Sequence, residues 1–223
     1  MQQSLFGSLM ATESSTPENG RQILDSVRLE DAVFAVLDLE TTGLSAKKCG
    51  ITEVTAIQFK NGREVGMYST LVKPTEPIPE DVELLTGISN DMVRHSPALV
   101  MVLSELAAFL GEEPIIVGHN VSFDIGFLRE KLSQSGLAAF LSRIELSRAL
   151  CTKVLAQKAL PGLPSYEGVM VATAIGYHNP NPHRAEADVR MSAGILFELI
   201  NRLQTQDSKI KTVQDLLDYQ GSL

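Results

Sequence analysis

Four carboxylates and one histidine, in three short clusters, are the residues of this chain best suited to chemistry. The first cluster holds Asp38 and Glu40, the second holds Asp124, and the third holds His183 and Asp188. Each acid stands where the surrounding pattern calls for a hydrophobic residue. Carboxylates that leave water together cost free energy unless cations neutralise them. The sequence therefore predicts a metal centre built from these acids.

Asp38 and Glu40 end an apolar run, residues 32–37, that predicts a buried central strand. Residues two apart on a strand face the same side of the sheet. Both carboxylates should therefore project together from the carboxyl end of the strand, where sites on open α/β sheets lie. Such hard oxygen ligands suit Mg²⁺ or Mn²⁺. An isolated Asp-x-Glu is more often a cap or turn, so the other clusters decide between the two.

Asp124 and Asp188 each extend the apolar stripe of a predicted helix. The first helix should start near Ser122, which could cap it, and run toward Leu132. The apolar residues at helical spacing are Phe127, Leu128 and Leu132 after Asp124, and Met191, Ile195 and Leu199 after Asp188. Two inward-facing acids on separate helices are hard to explain as solvated surface, which favours the metal centre.

His183 supplies a group that can move a proton. It follows a loop at 179–182 and precedes the helix of Asp188 by about one turn. A histidine titrates near neutrality and can accept a proton from an attacking water. Two divalent cations roughly 4 Å apart can activate that water and stabilise the leaving oxygen of a phosphodiester. Taken alone His183 could be a surface or capping residue, but within this set it is the best general-base candidate.

The three clusters resemble the exonuclease motifs of the DEDDh 3′-to-5′ exonucleases, the superfamily of the proofreading epsilon subunit of bacterial DNA polymerase III. The matching segments are residues 38–44, 119–124 and 183–188, with the histidine five residues before the last acid. The resemblance spans about residues 31–203 and includes 85–88 and 151–156. It implies a ribonuclease H-like fold and metal-dependent hydrolysis of DNA from the 3′ end, which releases nucleoside 5′-monophosphates in proofreading or repair.

The resemblance also implies a role for each site residue. Asp38, Glu40 and Asp188 would hold one divalent cation, Mg²⁺ or Mn²⁺, and Asp38 with Asp124 would hold a second, with His183 as the general base. Single-stranded DNA or a primer terminus would enter by its 3′ end. The residues expected around the terminal nucleotide are Thr41, Thr42, Gly43, Leu44, Ile88, Asn120 and Phe123. Of these, Leu44 and Ile88 would pack on the base, although Leu44, Ile88 and Phe123 could each be ordinary core residues.

Three other positions are predicted to be structural. Glu53, inside a strand, is expected to be a satisfied, half-buried acid rather than a ligand. His119 is expected to be structural or exposed. Gly168 stands where the family has an apolar residue, so the sequence does not predict how this segment packs.

The elements that must position these residues form an α/β pattern. Strands are predicted at 32–40, 51–60, 64–73, 115–118 and 149–153, and Asn61-Gly62 is a strong signal for a two-residue hairpin. Helices are predicted at 79–85, 98–110, 122–132 and 165–175, with a last one that carries Asp188. A hairpin followed by strand–helix alternation predicts a mixed five-stranded sheet flanked by helices.

Length and composition predict one exonuclease domain, residues 30–203, between a flexible arm at 1–29 and a tail with a short helix at 204–223. We expect no signal peptide and no membrane span, and hence a cytoplasmic protein with free thiols at Cys49 and Cys151. The net charge of −8 predicts a weak intrinsic grip on nucleic acid. Lys47, Lys48, Arg129 and Lys131 are the few basic candidates, and more often such residues are ordinary solvated charges.

The two chain ends and the substrate leave alternatives open. Gln2, Leu5 and Phe6 resemble the peptide by which bacterial polymerases and repair proteins bind the sliding clamp, although an inert tail is equally compatible. The C-terminal helix could dock on its own domain or on a replicative polymerase. An RNA exonuclease, such as an oligoribonuclease or a transfer-RNA trimming enzyme, would use the same metals. A non-catalytic adaptor for the clamp or polymerase would not need the clustered acids.

Overall fold

Five strands form one mixed sheet in a computed structural model of the chain, which describes residues 26–179, 182–221 and 223. The strands are β1 Val33–Thr41, β2 Ile51–Lys60, β3 Arg63–Leu71, β4 Ile115–Gly118 and β5 Leu150–Cys151. Their order across the sheet is β3-β2-β1-β4-β5. β1, β2 and β3 pair antiparallel, whereas β4 is parallel to β1 and β5 is parallel to β4. The predicted mixed five-stranded sheet is thus confirmed.

The hairpin between β2 and β3 forms at Asn61 and Gly62, as predicted. Their φ angles are 48° and 70°, so both lie in the left-handed region. A two-residue type I′ turn needs this conformation at both central positions, and Asn-Gly adopts it at low cost.

The described residues form eight α-helices, six of which share the two cores on either side of the sheet. They are α1 Glu80–Thr86, α2 Asn90–Val93, α3 Leu99–Leu110, α4 Ser122–Gln134, α5 Thr152–Ala159, α6 Gly168–Ala174, α7 Ala185–Gln206 and α8 Val213–Gln220; short 3₁₀ turns occur at Ala138–Arg143 and Leu146–Arg148. Buried residues of α5, α6, α7 and α8 share one core with Phe34 and Val36 of β1. Those of α3 and α4 share the other core with Ala35 and Leu37. Since β1 alternates, its even-numbered residues face α7.

Several predicted element boundaries are off by up to three residues, for example that of the helix expected from 165, which begins at Gly168. At β5 and α4 the difference changes the role of a residue. The fifth strand was expected over 149–153, but Thr152 already belongs to α5, because Leu155, Ala156 and Ala159 bury one face of a helix there. Ser122 was expected to cap a helix, yet it is the first helical residue of α4, and the preceding Val121 makes no side-chain capping bond. In both places tertiary packing overrides the local sequence signal.

Gly168 lets α6 approach α7 closely. A Cβ atom at this position would lie 2.6 Å from Cε of Met191, so the methionine fills the space that a larger residue would take. The small residue at 168 is therefore matched by a long, flexible one on the facing helix.

The described ends of the chain pack on the domain itself. A capping box between Thr212 and Asp215 starts α8, and Val213 and Leu216 of that helix are buried in the core. Arg28 bridges Thr212 as an antiparallel pair, so the folded domain reaches back into the segment predicted as an arm. Gln2, Leu5 and Phe6 lie outside the described residues.

Two compositional features can be compared with this fold. Cys49 and Cys151 are free, as predicted. Among the described residues, no helix combines the length and the apolar character that crossing a membrane would require.

Candidate metal centre

Three carboxylates converge at one end of the sheet. Asp38 and Glu40 continue the even-numbered face of β1, and Asp188 lies in the first turn of α7, which packs on that face. Each offers one oxygen atom, and these three atoms all lie within 4.8 Å of one another. Hard oxygen donors at this spacing match the ligand type of Mg²⁺ and Mn²⁺.

Asp124 stands beside this trio, in the first turn of α4, and is only 4% exposed. Its Oδ1 accepts a hydrogen bond from the backbone N–H of Leu39 at 3.1 Å. Leu39 lies between Asp38 and Glu40, so the bond ties α4 to the part of β1 that carries the acids. The four acids thus come from one strand and two helices.

The acids are electrostatically unsatisfied by the protein alone. Burial raises the pKa of Asp38 well above its usual range, and the charges of Asp124, Glu40 and Asp188 raise it further. Burial also raises the pKa of Glu40 to about 7 and that of Asp124 to about 8, and it raises the pKa of Asp188. Such a set holds protons near neutral pH unless a cation compensates its charge. The donor chemistry therefore fits divalent cations.

Both oxygens of Asp188 accept hydrogen bonds from the segment before α7. Nδ2 of Asn179 donates to Oδ1 at 2.7 Å, and the backbone N–H of His183 donates to Oδ2 at 2.9 Å. His183 has a φ of 64°, a left-handed conformation that turns its amide toward Asp188. Its side chain is exposed. The structure therefore places His183 at the rim of the acid cluster, with its imidazole open to solvent.

Glu53 is more deeply buried than the sequence predicts, with an exposure of 5%. It faces Glu40 across the β1–β2 pair. Arg184 donates to it from Nη2 at 2.8 Å and from Nε at 3.3 Å, and the backbone N–H of Ala185 donates at 3.0 Å. Glu53 is a satisfied acid, as predicted, but its partner Arg184 was not foreseen. The signal that could have placed Glu53 beside the acids is the pairing of the first two predicted strands, which sets Glu53 opposite Glu40.

The loop after β1 is fixed by a carboxylate that the sequence analysis missed. Oε1 of Glu76 accepts from the hydroxyl of Thr42 at 2.6 Å and from the backbone N–H of Gly50. The hydroxyl of Thr75 donates to Oε2 at 2.8 Å. These hydrogen bonds lower the pKa of Glu76, although its partial burial acts in the opposite direction. No local sequence pattern marks Glu76, because the partners that link it to the loop after β1 are 26 and 34 residues away.

The expected nucleotide-contacting residues differ in what they expose. Leu44 is 89% exposed, whereas the side chains of Thr41 and Thr42 are buried. Ile88 is completely buried with Ile78 and Val93, so its side chain has no surface to offer a base.

At the start of α4, Phe123 is partly buried against Phe127, with ring centroids 4.9 Å apart. Asn120 precedes α4 with a φ of 66°. His119 is structural, as predicted: its ring nitrogens lie 2.9 Å from the Thr152 hydroxyl and from the Tyr166 carbonyl oxygen.

The basic candidates separate into two groups. Lys47 and Lys48 are exposed in the loop after Leu44. Lys131 is buried, and Arg129 donates from Nη1 to the backbone oxygen of Ile144 at 2.9 Å. The expectation of a solvated charge is therefore wrong for Lys131.

Comparison with known proteins identifies the family. The exonuclease model, of the RNase T type, matches residues 35–196. The chain belongs to the exonuclease family. This result confirms the resemblance found in the three motifs and explains why the acids converge as they do.

Curated relatives of this exonuclease domain differ in length. It is 34% identical over 175 residues to the DNA polymerase III subunit epsilon of Aquifex aeolicus, a match that covers 78% of this chain and 84% of that protein. It is 31% identical to the 3′-5′ exonuclease DinG of Bacillus subtilis and to the PolC-type DNA polymerase III of Thermotoga maritima. Those matches cover 77% and 89% of this chain but only 18% and 14% of the relatives.

Solved structures share the fold. Escherichia coli exonuclease I in complex with a dA16 oligonucleotide superimposes with a TM-score of 0.68 at 20% identity, over 85% of this chain and 43% of that one. Exonuclease X in complex with 5′ overhanging duplex DNA gives a TM-score of 0.60 at 24% identity, over 84% of this chain and 99% of that one. The expected arrangement of sheet and helices is therefore that of solved exonucleases.

Proposed function

We propose that this chain is a metal-dependent 3′-to-5′ exonuclease that hydrolyses DNA from a free 3′ end and releases nucleoside 5′-monophosphates. The observation that carries the proposal is the convergence of oxygens from Asp38, Glu40 and Asp188 within 4.8 Å. Membership of the exonuclease family and the similarity to an epsilon subunit support it. Proofreading or repair is the corresponding cellular role.

The carboxylates are assigned to two cation sites. Asp38, Glu40 and Asp188 would hold one divalent ion, and Asp38 with Asp124 would hold the other. When bound, Mg²⁺ or Mn²⁺ would neutralise these acids and stabilise negative charge on the leaving oxygen of the phosphodiester. Because the pKa values of Glu40 and Asp124 are raised to about 7 and 8, both residues would give up protons as the cations bind.

His183 is assigned as the general base. An unprotonated ring nitrogen would take a proton from the attacking water as the water oxygen bonds to phosphorus and the 3′ oxygen of the preceding nucleotide leaves. The exposed ring is accessible for this task, and the hydrogen bond from its backbone N–H to Asp188 keeps the residue beside the acids.

The terminal nucleotide would lie against the loop after β1. Because the side chains of Thr41 and Thr42 are buried, these residues and Gly43 would contact it mainly through their backbone. Leu44, which is exposed, would pack on the base, with Asn120 and Phe123 on the other side. The buried Ile88 would not contact the nucleotide directly.

Digestion of a 5′-labelled single-stranded DNA tests the proposal. The protein should shorten it from the 3′ end with Mg²⁺ or Mn²⁺, and chelator should stop the reaction. Asp38→Ala and Asp188→Ala should lower the rate by on the order of 10³-fold or more while the fold remains intact. Replacement of the exposed Asp81 by Asn is the matched control. Full activity of the Asp188→Ala protein, or of the native protein in chelator, would contradict the assignment.

The polymer should be established in the same assay. Matched single-stranded DNA, a mismatched primer end and an RNA oligomer should be compared at equal concentration, since recognition of RNA depends on its 2′-hydroxyl groups. We expect DNA to be degraded faster. A strong preference for RNA would favour the oligoribonuclease-like alternative.

We also propose that the protein acts in the cytoplasm. Its N-terminal residues Gln2, Leu5 and Phe6 would bind a sliding clamp there. Burial of Leu5 and Phe6 in an apolar pocket would contribute on the order of 3 to 6 kcal/mol before ordering costs. Replacement of both by Ala should abolish clamp binding and leave hydrolysis of a short oligonucleotide unchanged. If the native protein and the Leu5→Ala/Phe6→Ala variant bind the clamp with equal affinity, the motif is a chance match.

A further inference from the structure

Glu53 and Arg184 tie β2 to the start of α7. The carboxylate of Glu53 is buried, and it accepts two bonds from the Arg184 guanidinium and one from the Ala185 backbone N–H, at 2.8 to 3.3 Å. A two-pronged contact between a guanidinium and a carboxylate fixes orientation as well as distance. The tie therefore holds both a side chain and the backbone of this turn.

The backbone bond replaces a missing helix cap. Ala185 is the first residue of α7, and its N–H is one of the amides that a helix leaves without an internal acceptor. Arg184, at the capping position, makes no capping bond with its own side chain. Glu53 supplies the acceptor from the neighbouring sheet instead, so the start of α7 is set by β2.

The tie lies between the two parts of the candidate site. Glu53 is the register partner of Glu40, which places it beside the β1 acids. Arg184 directly follows His183, and its carbonyl oxygen accepts the backbone N–H of Asp188 at 3.0 Å. A displacement of this turn would move His183 and Asp188 together, away from the acids of β1.

Stability alone does not account for the pair. Glu53 is buried and loses hydration, whereas the Arg184 side chain is 35% exposed, so solvent weakens the attraction that would offset this loss. Glu53 also adds a fifth carboxylate to a region that already holds four. We infer that Glu53 and Arg184 are positioning residues, which hold the first turn of α7 so that His183 and Asp188 meet the carboxylates of β1. This inference rests on the proposed function for the roles of His183 and Asp188.

Three variants and one control test the inference. Glu53→Ala and Arg184→Met remove the tie, whereas Glu53→Gln keeps an oxygen for the N–H of Ala185. Arg190→Met is the control, because it removes another bond from α7 to the sheet, the 2.8 Å contact with Glu64, and a 2.9 Å contact with Glu186, but leaves the bonds of Glu53, His183 and Asp188 in place. Loss of groups that orient metal ligands lowers activity or metal affinity by about 10- to 100-fold. We expect that loss in kcat for Glu53→Ala and Arg184→Met, with little change in KM, and a smaller loss for Glu53→Gln.

A second measurement does not depend on activity. Mn²⁺ binding should raise the melting temperature of the native protein and of Arg190→Met. The rise should shrink in Glu53→Ala and Arg184→Met, because Asp188 no longer meets Asp38 and Glu40. If the native protein lacked nuclease activity, the proposed function would fail, and the Mn²⁺ shifts alone would decide whether the pair positions the acids.

A pair that only stabilises the fold would give a different result. If the variants melt at lower temperature but keep the native kcat and the native Mn²⁺ shift, the pair only stabilises the fold and the inference is overturned. If Glu53→Ala does not fold, Glu53→Gln and Arg184→Met are judged by the same two measurements.

Discussion

Replacement of Asp124 by Asn should stabilise the metal-free protein, and increasingly so as the pH rises. Asp124 is 4% exposed, and burial raises the pKa of its carboxyl to about 8. The asparagine has nearly the same shape, and its side-chain oxygen can still accept the N–H of Leu39. The substitution therefore removes a buried ionisable group and keeps the contact.

The direction of this pH dependence follows from the number of protons that the folded and unfolded states bind. An unfolded aspartate has a pKa of about 3.9, so between about pH 4 and pH 8 the folded state binds more protons than the unfolded state. The share of stability due to Asp124 is fully present below about pH 4 and is lost as the pH rises toward 8. Each pH unit inside this window changes the free energy of unfolding by about 1.4 kcal/mol. From pH 5 to pH 7, the native protein should lose roughly 3 kcal/mol relative to Asp124→Asn.

Urea unfolding in chelator at pH 5, 6 and 7 measures this difference. Asp81→Asn, a change at an exposed aspartate, should follow the native protein at all three pH values. Divalent cations should reverse the order, because the native protein gains binding free energy at the second cation site, which the variant lacks, while both proteins keep the site of Asp38, Glu40 and Asp188. If Asp124→Asn is less stable than the native protein in chelator at pH 7, the acids are structural, and the non-catalytic adaptor becomes the better hypothesis.

Three further substitutions separate substrate contacts from packing. Glu76→Ala removes the acceptor for Thr42 and Gly50, so KM for single-stranded DNA should rise. Because the pKa of Glu76 is lowered, its contribution to stability should be present above about pH 4.3 and be lost in acid, which urea unfolding would measure. Leu44→Ala should raise KM in the same assay and change stability by less than about 0.5 kcal/mol, because the side chain is 89% exposed. Gly168→Ala should change stability by less than about 1 kcal/mol in urea, because the flexible end of Met191 can move aside and alanine favours the helix.

Much of the sheet and the convergence of the acids could be predicted from periodicity. The apolar run before Asp38 marks a buried strand, and the spacing of two puts Asp38 and Glu40 on one face. The helical stripe after Asp188 predicts that this acid faces inward, and the packing of α7 on the Phe34 and Val36 side of the sheet then brings it to the same face. These signals are local, and the structure agrees with them because strand alternation and helix pitch are properties of the backbone.

The remaining features depend on contacts between distant segments. The sequence leaves open whether Ile88 packs on a base or in the core, and the structure buries it completely with Ile78 and Val93. Thr152 looked like the end of a strand, but packing of Leu155 draws it into α5. The bonds of Glu53 to Arg184 and Ala185 span more than 130 residues, and no local pattern encodes such a partner.

Two carboxylates that are not candidate ligands hold the two sides of this site. Glu76 fixes the loop after β1, which carries the exposed Leu44, and Glu53 fixes the turn before α7, which carries His183. Each accepts a backbone N–H together with a side-chain donor, so each restrains the main chain and not only a neighbouring side chain. Catalysis by positioned groups requires accurate placement of both substrate and base. Because burial raises the pKa values of the candidate ligand acids, their charges oppose close approach, and bonds from other residues, such as those of Glu53 and Glu76, help to hold the backbone on both sides of the site.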